Sequence, residues 1–487
     1  MIPLQPVDMM RILPEIILSV FAVLIMVLEP FVATAQKKLL GWMALLGVLA
    51  AGGATARLSL YPWPGMGPAF GGAVSADEFG FYFIYLFLLV AALVILGSMD
   101  YLQRDHAQHG EFYALVLMGT VGMCFMAAST DLIMIFLGLE ISSIATYILA
   151  GYRRADRLSN EASLKYFLLG SFATAFLLYG IAFVYGLTGT TNLLGASAQL
   201  SEPSQWTTFA QVALILMFVG LAFKLSTAPF QIWTPDVYQG APAPVTAFLS
   251  VGPKAAAFAV LLRVFLGSFS SASALTFWIL WVSAALTMCV GNLAALWQAN
   301  VKRLLAYSSI AHAGYVLVGV TAGGSRGISG VMYYLVAYAL MNVGAFLLIA
   351  HLAGAGERLV QIDDYKGLAS TRPAVAACLT VFFLSLAGFP TTAGFLGKFY
   401  IFRAAIHSHL IGLTILALLN SVVSVYYYFK IIVAMYMDEG KTETAEAVLP
   451  WPVRAALVVS ILGIFWLGLA PNGFMGLSTL ATMPLLK

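Results

Sequence analysis

Long apolar runs separated by short polar joints occupy nearly the whole chain. Runs of about 20 apolar residues, the length that crosses a hydrocarbon core of roughly 30 Å, are predicted at 12–32, 39–60, 79–99, 111–129, 130–151 and 162–187. A second group follows at 208–239, 243–266, 275–297, 301–322, 328–354, 374–406, 409–437 and 452–470. The expected fold class is therefore all-α, a polytopic membrane protein with about fourteen transmembrane helices. Two runs are too long for one straight span. Residues 208–239 would reach about 48 Å as a single helix, and the run holds Lys224, Pro229 and Pro235. An interior proline removes a backbone donor and clashes with the preceding turn, so a break is predicted near Ala228–Pro229. The run at 374–406 holds Pro390 and Lys398 and is expected to break in the same way. A helix interrupted at membrane depth persists only where protein or a watery cavity satisfies the freed backbone groups.

The two interrupted runs lie five spans apart. An odd offset reverses direction across the membrane, which is what an inverted-topology repeat requires. The chain then divides into an N-terminal three-helix segment (1–110), a first five-helix repeat (111–266), a second, inverted five-helix repeat (274–437) and a C-terminal helix (438–487).

Composition agrees with the pattern. The 487 residues are 61% hydrophobic and 9% charged, with a mean hydropathy of +0.93, and a soluble surface cannot be built from that. The net charge of +3 is small and dispersed, which excludes nucleic acid as a partner. Cys124, Cys289 and Cys378 each stand alone in apolar runs and read as small buried hydrophobes, not as disulfides or cluster ligands. No dinucleotide or phosphate-loop motif is present. Glu15 and Glu29 flank the first apolar run without a clean cleavage site, so it reads as a first span, not as a signal peptide.

Of the 24 Lys and Arg residues, thirteen fall in loops after odd-numbered spans: Lys37, Lys38, Arg104, Arg153, Arg154, Arg157, Lys302, Arg303, Arg358, Lys366, Arg372, Lys441 and Arg454. Six lie on the opposite side, namely Arg11, Arg57, Arg263, Arg326, Arg403 and Lys487. The positive-inside rule then puts both termini outside and the odd loops in the cytoplasm. Tyr61–Ala76 reads as a Pro/Gly-rich connection without a ligand cluster, and Glu357–Arg372, with Asp363 beside Asp364, as a solvated loop or docking face.

Five cationic residues remain inside spans: Lys165, Lys224, Lys254, Lys398 and Lys430. An ionisable group at mid-bilayer is costly and marks a pathway or a partner. Glu140, halfway along its run, needs a cationic partner, and Lys224 is the natural one. Lys254 lies mid-depth and Lys398 follows the second break. His312 alone reads as a hydrogen-bonded core histidine, but level with three lysines it becomes a relay. Lys165 and Lys430 lie nearer the ends, where snorkelling accounts for them. Asp131 and Glu161 sit near span ends, and His407 and His409 in a loop.

The segments FLGLEISSIATYIL (Phe136–Leu149), AFKLSTAPFQIWTPDVYQGAPAPVTAFLSVGPK (Ala222–Lys254), RLLAYSSIAHAGY (Arg303–Tyr315) and GFPTTAGFLGKFY (Gly388–Tyr400) resemble the antiporter-like subunits of the proton-pumping NADH:quinone oxidoreductase, respiratory complex I. The likeness is nearest to its subunit N family. Lysine at 398, where the M-type relative has glutamate, and an end soon after the fourteenth span favour that member over its siblings.

The resemblance implies Glu140 and Lys224 as a central ion pair, Lys254 as the connecting lysine, His312 between, and Lys398 as the terminal site toward the outer half-channel. It implies that this chain binds no cofactor. NADH, FMN, Fe–S clusters and quinone are then expected in partner subunits, with antiporter-like relatives as neighbours in the membrane arm. A bacterial inner membrane is the expected location. A multisubunit Na⁺/H⁺ (Mrp-type) antiporter shares the Glu-and-Lys plan and is the alternative, and an inert membrane scaffold is the third reading.

Overall fold

In a hydrocarbon environment every backbone N–H and C=O must find a partner inside the protein, and a helix is the simplest element that provides one. The computed structural model, which describes residues 6–60, 67–439 and 448–486, is helical nearly throughout. Lys441 and Lys487, counted above in the charge balance, lie outside the described residues, as do residues 61–66 of the Tyr61–Ala76 connection.

Among the described residues thirteen helices are long and apolar enough to cross a membrane. They are α1 (Leu13–Leu28), α2 (Lys38–Leu60), α3 (Glu78–Arg104), α4 (Gly110–Ala128), α5 (Leu132–Ala150) and α6 (Arg157–Thr188), then α7a (Thr208–Leu225), α8 (Ala243–Leu261), α9 (Ser273–Leu296), α10 (Val301–Ala322), α11 (Gly324–Leu352), α13 (Ile411–Tyr436) and α14 (Trp451–Leu469). The remaining expected span is present as two halves of 15 residues each, α12a (Pro373–Ala387) and α12b (Ala393–His407). A short α7b (Trp233–Gly240) continues α7a after its break. The rest of the Tyr61–Ala76 connection is an antiparallel hairpin, β1 (Gly67–Ala69) with β2 (Val74–Ala76), which the turn-rich sequence did not announce.

The core sits on α8 and α11, which are buried along their lengths and pack against each other. Around them lie α3, α4, α10 and the two interrupted helices. At one end of the bundle Asp131 caps α5, accepting from the amides of Ile133 and Met134, so that residue is structural.

Both breaks satisfy their own backbone. After α7a the chain turns at Ser226, the Trp233 indole donates to the Phe223 carbonyl at 2.9 Å, and the Ala228 amide donates to the Thr287 hydroxyl at 2.9 Å. After α12a, Gly388 adopts φ 92°, and its amide and that of Phe389 return to the Leu384 carbonyl. Gly394 then lets the two halves close. A Cβ there would lie 1.9 Å from the Ser385 carbonyl oxygen, and backbone cannot step aside. We expect Gly394→Ala to destabilise the protein by about 1–3 kcal/mol or more, the usual result of overpacking. A lowered thermal midpoint of the detergent-extracted protein would register this, and an unchanged midpoint would show that the halves do not meet so closely.

Candidate functional site

The three mid-span lysines are all buried, and none is paired with a carboxylate among the described residues. Each is held in a different way. Lys224 lies in the last turn of α7a, where a helix presents its electronegative end. Its ammonium donates to the Tyr166 hydroxyl at 3.3 Å and faces the rings of Tyr166 and Tyr147 at 4.8 and 5.0 Å. Lys398, on α12b, donates back to the Leu386 and Ala387 carbonyls at the end of α12a (3.1 and 3.0 Å), and to Ser421 at 3.1 Å. The Tyr315 ring lies 5.0 Å from it. In both cases a lysine lies at a helix end that a break creates: Lys398 binds the freed carbonyls directly, whereas Lys224 sits on the last turn of α7a and binds Tyr166 instead.

Lys254 depends on a proline. Pro253 has no amide hydrogen, so the Leu249 carbonyl one turn earlier has no helical donor. The Tyr238 hydroxyl reaches that carbonyl at 3.5 Å, and the Tyr238 ring then lies 5.6 Å from the Lys254 ammonium. Lys254 donates to the Ser309 hydroxyl at 2.5 Å and the Ser309 carbonyl at 3.2 Å. One turn along α10, His312 places Nδ1 2.5 Å from the Tyr334 hydroxyl and Nε2 3.0 Å from that of Tyr428. On α10 it lies one turn after Ser309, which binds Lys254, and one turn before Tyr315, whose ring faces Lys398.

Aromatic residues fill the intervals. Tyr166 stacks on Trp233 at 4.5 Å, and Trp233 meets Tyr238 edge-on at 6.1 Å, linking the Lys224 and Lys254 surroundings. Beyond Lys398 a cavity of about 400 Å³ is lined by Arg403, His407, Thr414 and Ser421. His407, expected in a loop, is the last residue of α12b and lines the same cavity as Lys398.

The expected Glu140–Lys224 ion pair is not formed. Glu140 is half-buried, its Oε1 lies buried without a hydrogen-bond partner, and its charge reaches Lys224 only through space. The reason is geometric: Tyr147, two turns after Glu140 on α5, and Tyr166 occupy the space around the ammonium. Lys165 is no simple snorkelling residue either. It bridges Glu161 (2.6 Å) and Asp236 (2.7 Å), and Asp236 also binds Arg303 at 2.7 Å.

Two buried ion pairs were missed in the sequence because their partners are remote along the chain. Arg263, on a π-helical turn after α8, binds Asp77 through two nitrogens at 2.8 and 3.0 Å. Lys302 binds Glu357 at 2.6 Å with both side chains almost wholly buried. Glu357 is therefore not part of a solvated loop. It also accepts from the Ala243 amide (2.6 Å) and the Tyr101 hydroxyl (2.7 Å).

Fold and site together define an antiporter-like membrane subunit: a family described as "NADH:quinone oxidoreductase/Mrp antiporter, TM" matches residues 129–424, which contain Glu140, Lys224, Lys254, His312, Lys398 and both interrupted helices. The chain belongs to the NADH-quinone oxidoreductase subunit N family. It is 51% identical over 476 residues to "NADH-quinone oxidoreductase subunit N 1" of Solibacter usitatus, covering 98% of this chain and 97% of the relative. It is 46% identical to subunit N of Trichlorobacter lovleyi, covering 96% of each. Among solved structures, a chain of respiratory complex I from Thermus thermophilus with bound aureothin is 35% identical, with a TM-score of 0.81 and coverage of 96% of this chain and 99% of that one. A chain of the Mrp complex from Dietzia sp., 22% identical with a TM-score of 0.84 and 97% coverage of each, shares the fold.

Burial pushes the Glu357 carboxyl up, but Lys302, the Ala243 amide and the Tyr101 hydroxyl outweigh burial and hold it below its ordinary value of 4.5. A depressed carboxyl contributes stability above the ordinary value and loses it as pH falls through the folded one. Glu357→Gln is thus expected to speed amide exchange at the start of α8 at pH 7. The gap from the parent should narrow as pH falls from about 4.5 through the lower value of the folded carboxyl, where the parent protonates as well. A gap independent of pH would contradict the charged form.

Proposed function

We propose that this chain is a membrane-arm subunit that translocates protons, driven by NADH-to-quinone electron transfer in other subunits of its complex. The observation that carries the reading is the row of three buried lysines at membrane depth, each compensated by carbonyls, hydroxyls or aromatic faces and not by a counter-carboxylate. Hydrogen bonds to a charged group contribute about 1.5–3 kcal/mol each, and a desolvated cation–π contact about 2. The desolvation of an ammonium is of similar size, several kcal/mol. The balance is close, so a small rearrangement nearby changes which lysine holds a proton.

In this mechanism a conformational or electrostatic signal from the redox arm moves Glu140 relative to Lys224. When its field weakens, Lys224 gives up its proton toward Lys254. Ser309 and His312, between the Tyr334 and Tyr428 hydroxyls, carry it onward to Lys398. Lys398 releases it through the cavity bordered by Arg403 and His407. The two breaks let the half-helices move without exposing unpaired backbone. The repeats at 111–266 and 274–437 are the two halves that move against each other. The side carrying Lys302 and Glu357 is the cytoplasm of a bacterial inner membrane, and both termini lie outside. NADH, FMN, Fe–S clusters and quinone belong to partner subunits, some of them antiporter-like relatives.

Lys224→Ala in the assembled complex is expected to abolish this subunit's share of pumping, read as a drop in protons per electron in reconstituted vesicles. Full stoichiometry with the variant assembled would refute the assignment.

A further inference from the structure

Three helices meet at one side-chain amide. Asn292, on α9, is fully buried where α9, α10 and α13 pack together. Its Nδ2 donates to the Met288 carbonyl at 2.9 Å, the Tyr315 hydroxyl at 3.1 Å and Asn420 Oδ1 at 3.2 Å. An amide nitrogen carries two hydrogens, so these three acceptors share them. Its Oδ1 accepts from the Tyr427 hydroxyl at 3.1 Å. Asn420 is anchored in turn on α13, donating to the Leu416 carbonyl at 3.0 Å.

Both tyrosines that Asn292 holds touch the lysine row. The Tyr315 ring lies 5.0 Å from the Lys398 ammonium and meets His312 edge-on at 5.7 Å and Phe402 at 6.3 Å. Tyr427 packs on Tyr428 at 4.5 Å. The Tyr428 hydroxyl lies 3.0 Å from His312 Nε2 and also pairs with Ser308.

Polar side chains join helices in a membrane bundle by hydrogen bonds, and the Asn292–Asn420 contact would do that for α9 and α13 by itself. The bonds to Tyr315 and Tyr427 go further. Among the partners of Lys398, the Leu386 and Ala387 carbonyls are fixed by α12a, and Ser421 by its short side chain on α13. The Tyr315 ring hangs on a longer side chain, and the bond from Asn292 to its hydroxyl sets where the ring points.

We propose that Asn292 is a positioning residue for the last step of the lysine row: it fixes the Tyr315 ring on Lys398 and, through Tyr427, steadies the Tyr428 hydroxyl on His312. This rests on the pumping role proposed above, and it names a residue that does not itself carry the proton. A ring face stabilises an ammonium and offers little to a neutral amine. With Tyr315 held, Lys398 keeps its proton more tightly. With Tyr315 free, the Lys398 amine stands neutral for more of the time. One amide thus adjusts both ends of the His312–Lys398 transfer.

The test uses the assembled complex in membrane vesicles without NADH, treated with phenyl isothiocyanate. This apolar reagent is consumed by neutral amines, and the cavity of about 400 Å³ beside Lys398 gives it access. Mass spectrometry scores the adduct at Lys398, with Lys224 and the exposed Lys430 as references. The variants are Asn292→Leu, Tyr315→Phe, the two combined, and Asn420→Leu. Tyr315→Phe keeps the ring and removes only the hydroxyl that Asn292 holds. It carries the test alone if Asn292→Leu does not assemble. Asn420→Leu removes the α9–α13 amide contact and leaves the Asn292–Tyr315 bond.

The expected result is labelling at Lys398 that rises about three- to thirtyfold in each of the first two variants, the range for losing a buried cation–π contact. The combined variant should be no faster than the faster single one, because both remove the same bond. Asn420→Leu should stay within about twofold of the parent, the range of separate, uncoupled sites. Unchanged or absent labelling at Lys398 in Asn292→Leu and Tyr315→Phe would overturn the proposal. So would additive effects, an equal rise in Asn420→Leu, or an equal rise at Lys224. Labelling is read without turnover, so failure here is separable from failure of the pump reading, which Lys224→Ala decides.

Discussion

The structure depends on keeping ammonium groups inside an apolar bundle without giving them carboxylates. Lys224 and Lys398 achieve this through the same physical device, the electronegative end of a half-helix. Lys224 rides on the last turn of its own half, and Lys398 reaches back to the other half's terminal carbonyls. The interruptions in α7 and α12 are therefore more than relief for overlong helices. They create carbonyl ends at a depth where an uninterrupted helix would offer none. Lys254, on a helix without a full break, draws on Pro253 and Tyr238 for a smaller version of the same opening.

The bundle treats charges at its ends quite differently. There Arg263 is clasped by Asp77, Lys302 by Glu357, and Arg303 and Lys165 share Asp236. The two buried pairs, Arg263–Asp77 and Lys302–Glu357, resist change, because losing one partner strands the other, a cost of about 3–5 kcal/mol. The mid-depth lysines have no such lock. A chain able to build tight ion pairs at both surfaces leaves its central cations free of them, and the proton exchange proposed for these lysines requires that contrast. Glu140 fits the same logic. Held off Lys224 by tyrosines, it acts in the proposed mechanism through its field, which a modest displacement can alter.

Much of this was legible in the sequence. Apolar run length gave the spans, and overlong runs with interior prolines located both breaks, because bilayer thickness is a fixed ruler. The five candidate site residues stood out because an ionisable group in an apolar run has few explanations. Contacts between distant segments were not legible. Nothing local tells that Tyr147 and Tyr166 stand around Lys224, that Asp77 awaits Arg263 from 186 positions away, or that Glu357 leaves its loop to meet Lys302. Pro253 was readable in principle: a proline beside a mid-span lysine signals a freed carbonyl. The solvated reading of the Glu357 loop failed because composition cannot reveal that left-handed backbone turns one carboxylate inward.

The account requires that the lysines form one connected row. A map of the assembled complex in which ordered waters are visible tests this most directly. We predict waters or hydroxyls within hydrogen-bond distance at every step from Lys224 to Lys254 and through His312 to Lys398. A dry gap between any two of these residues that persists in every state of turnover, or ammonium groups turned into lipid, would contradict it.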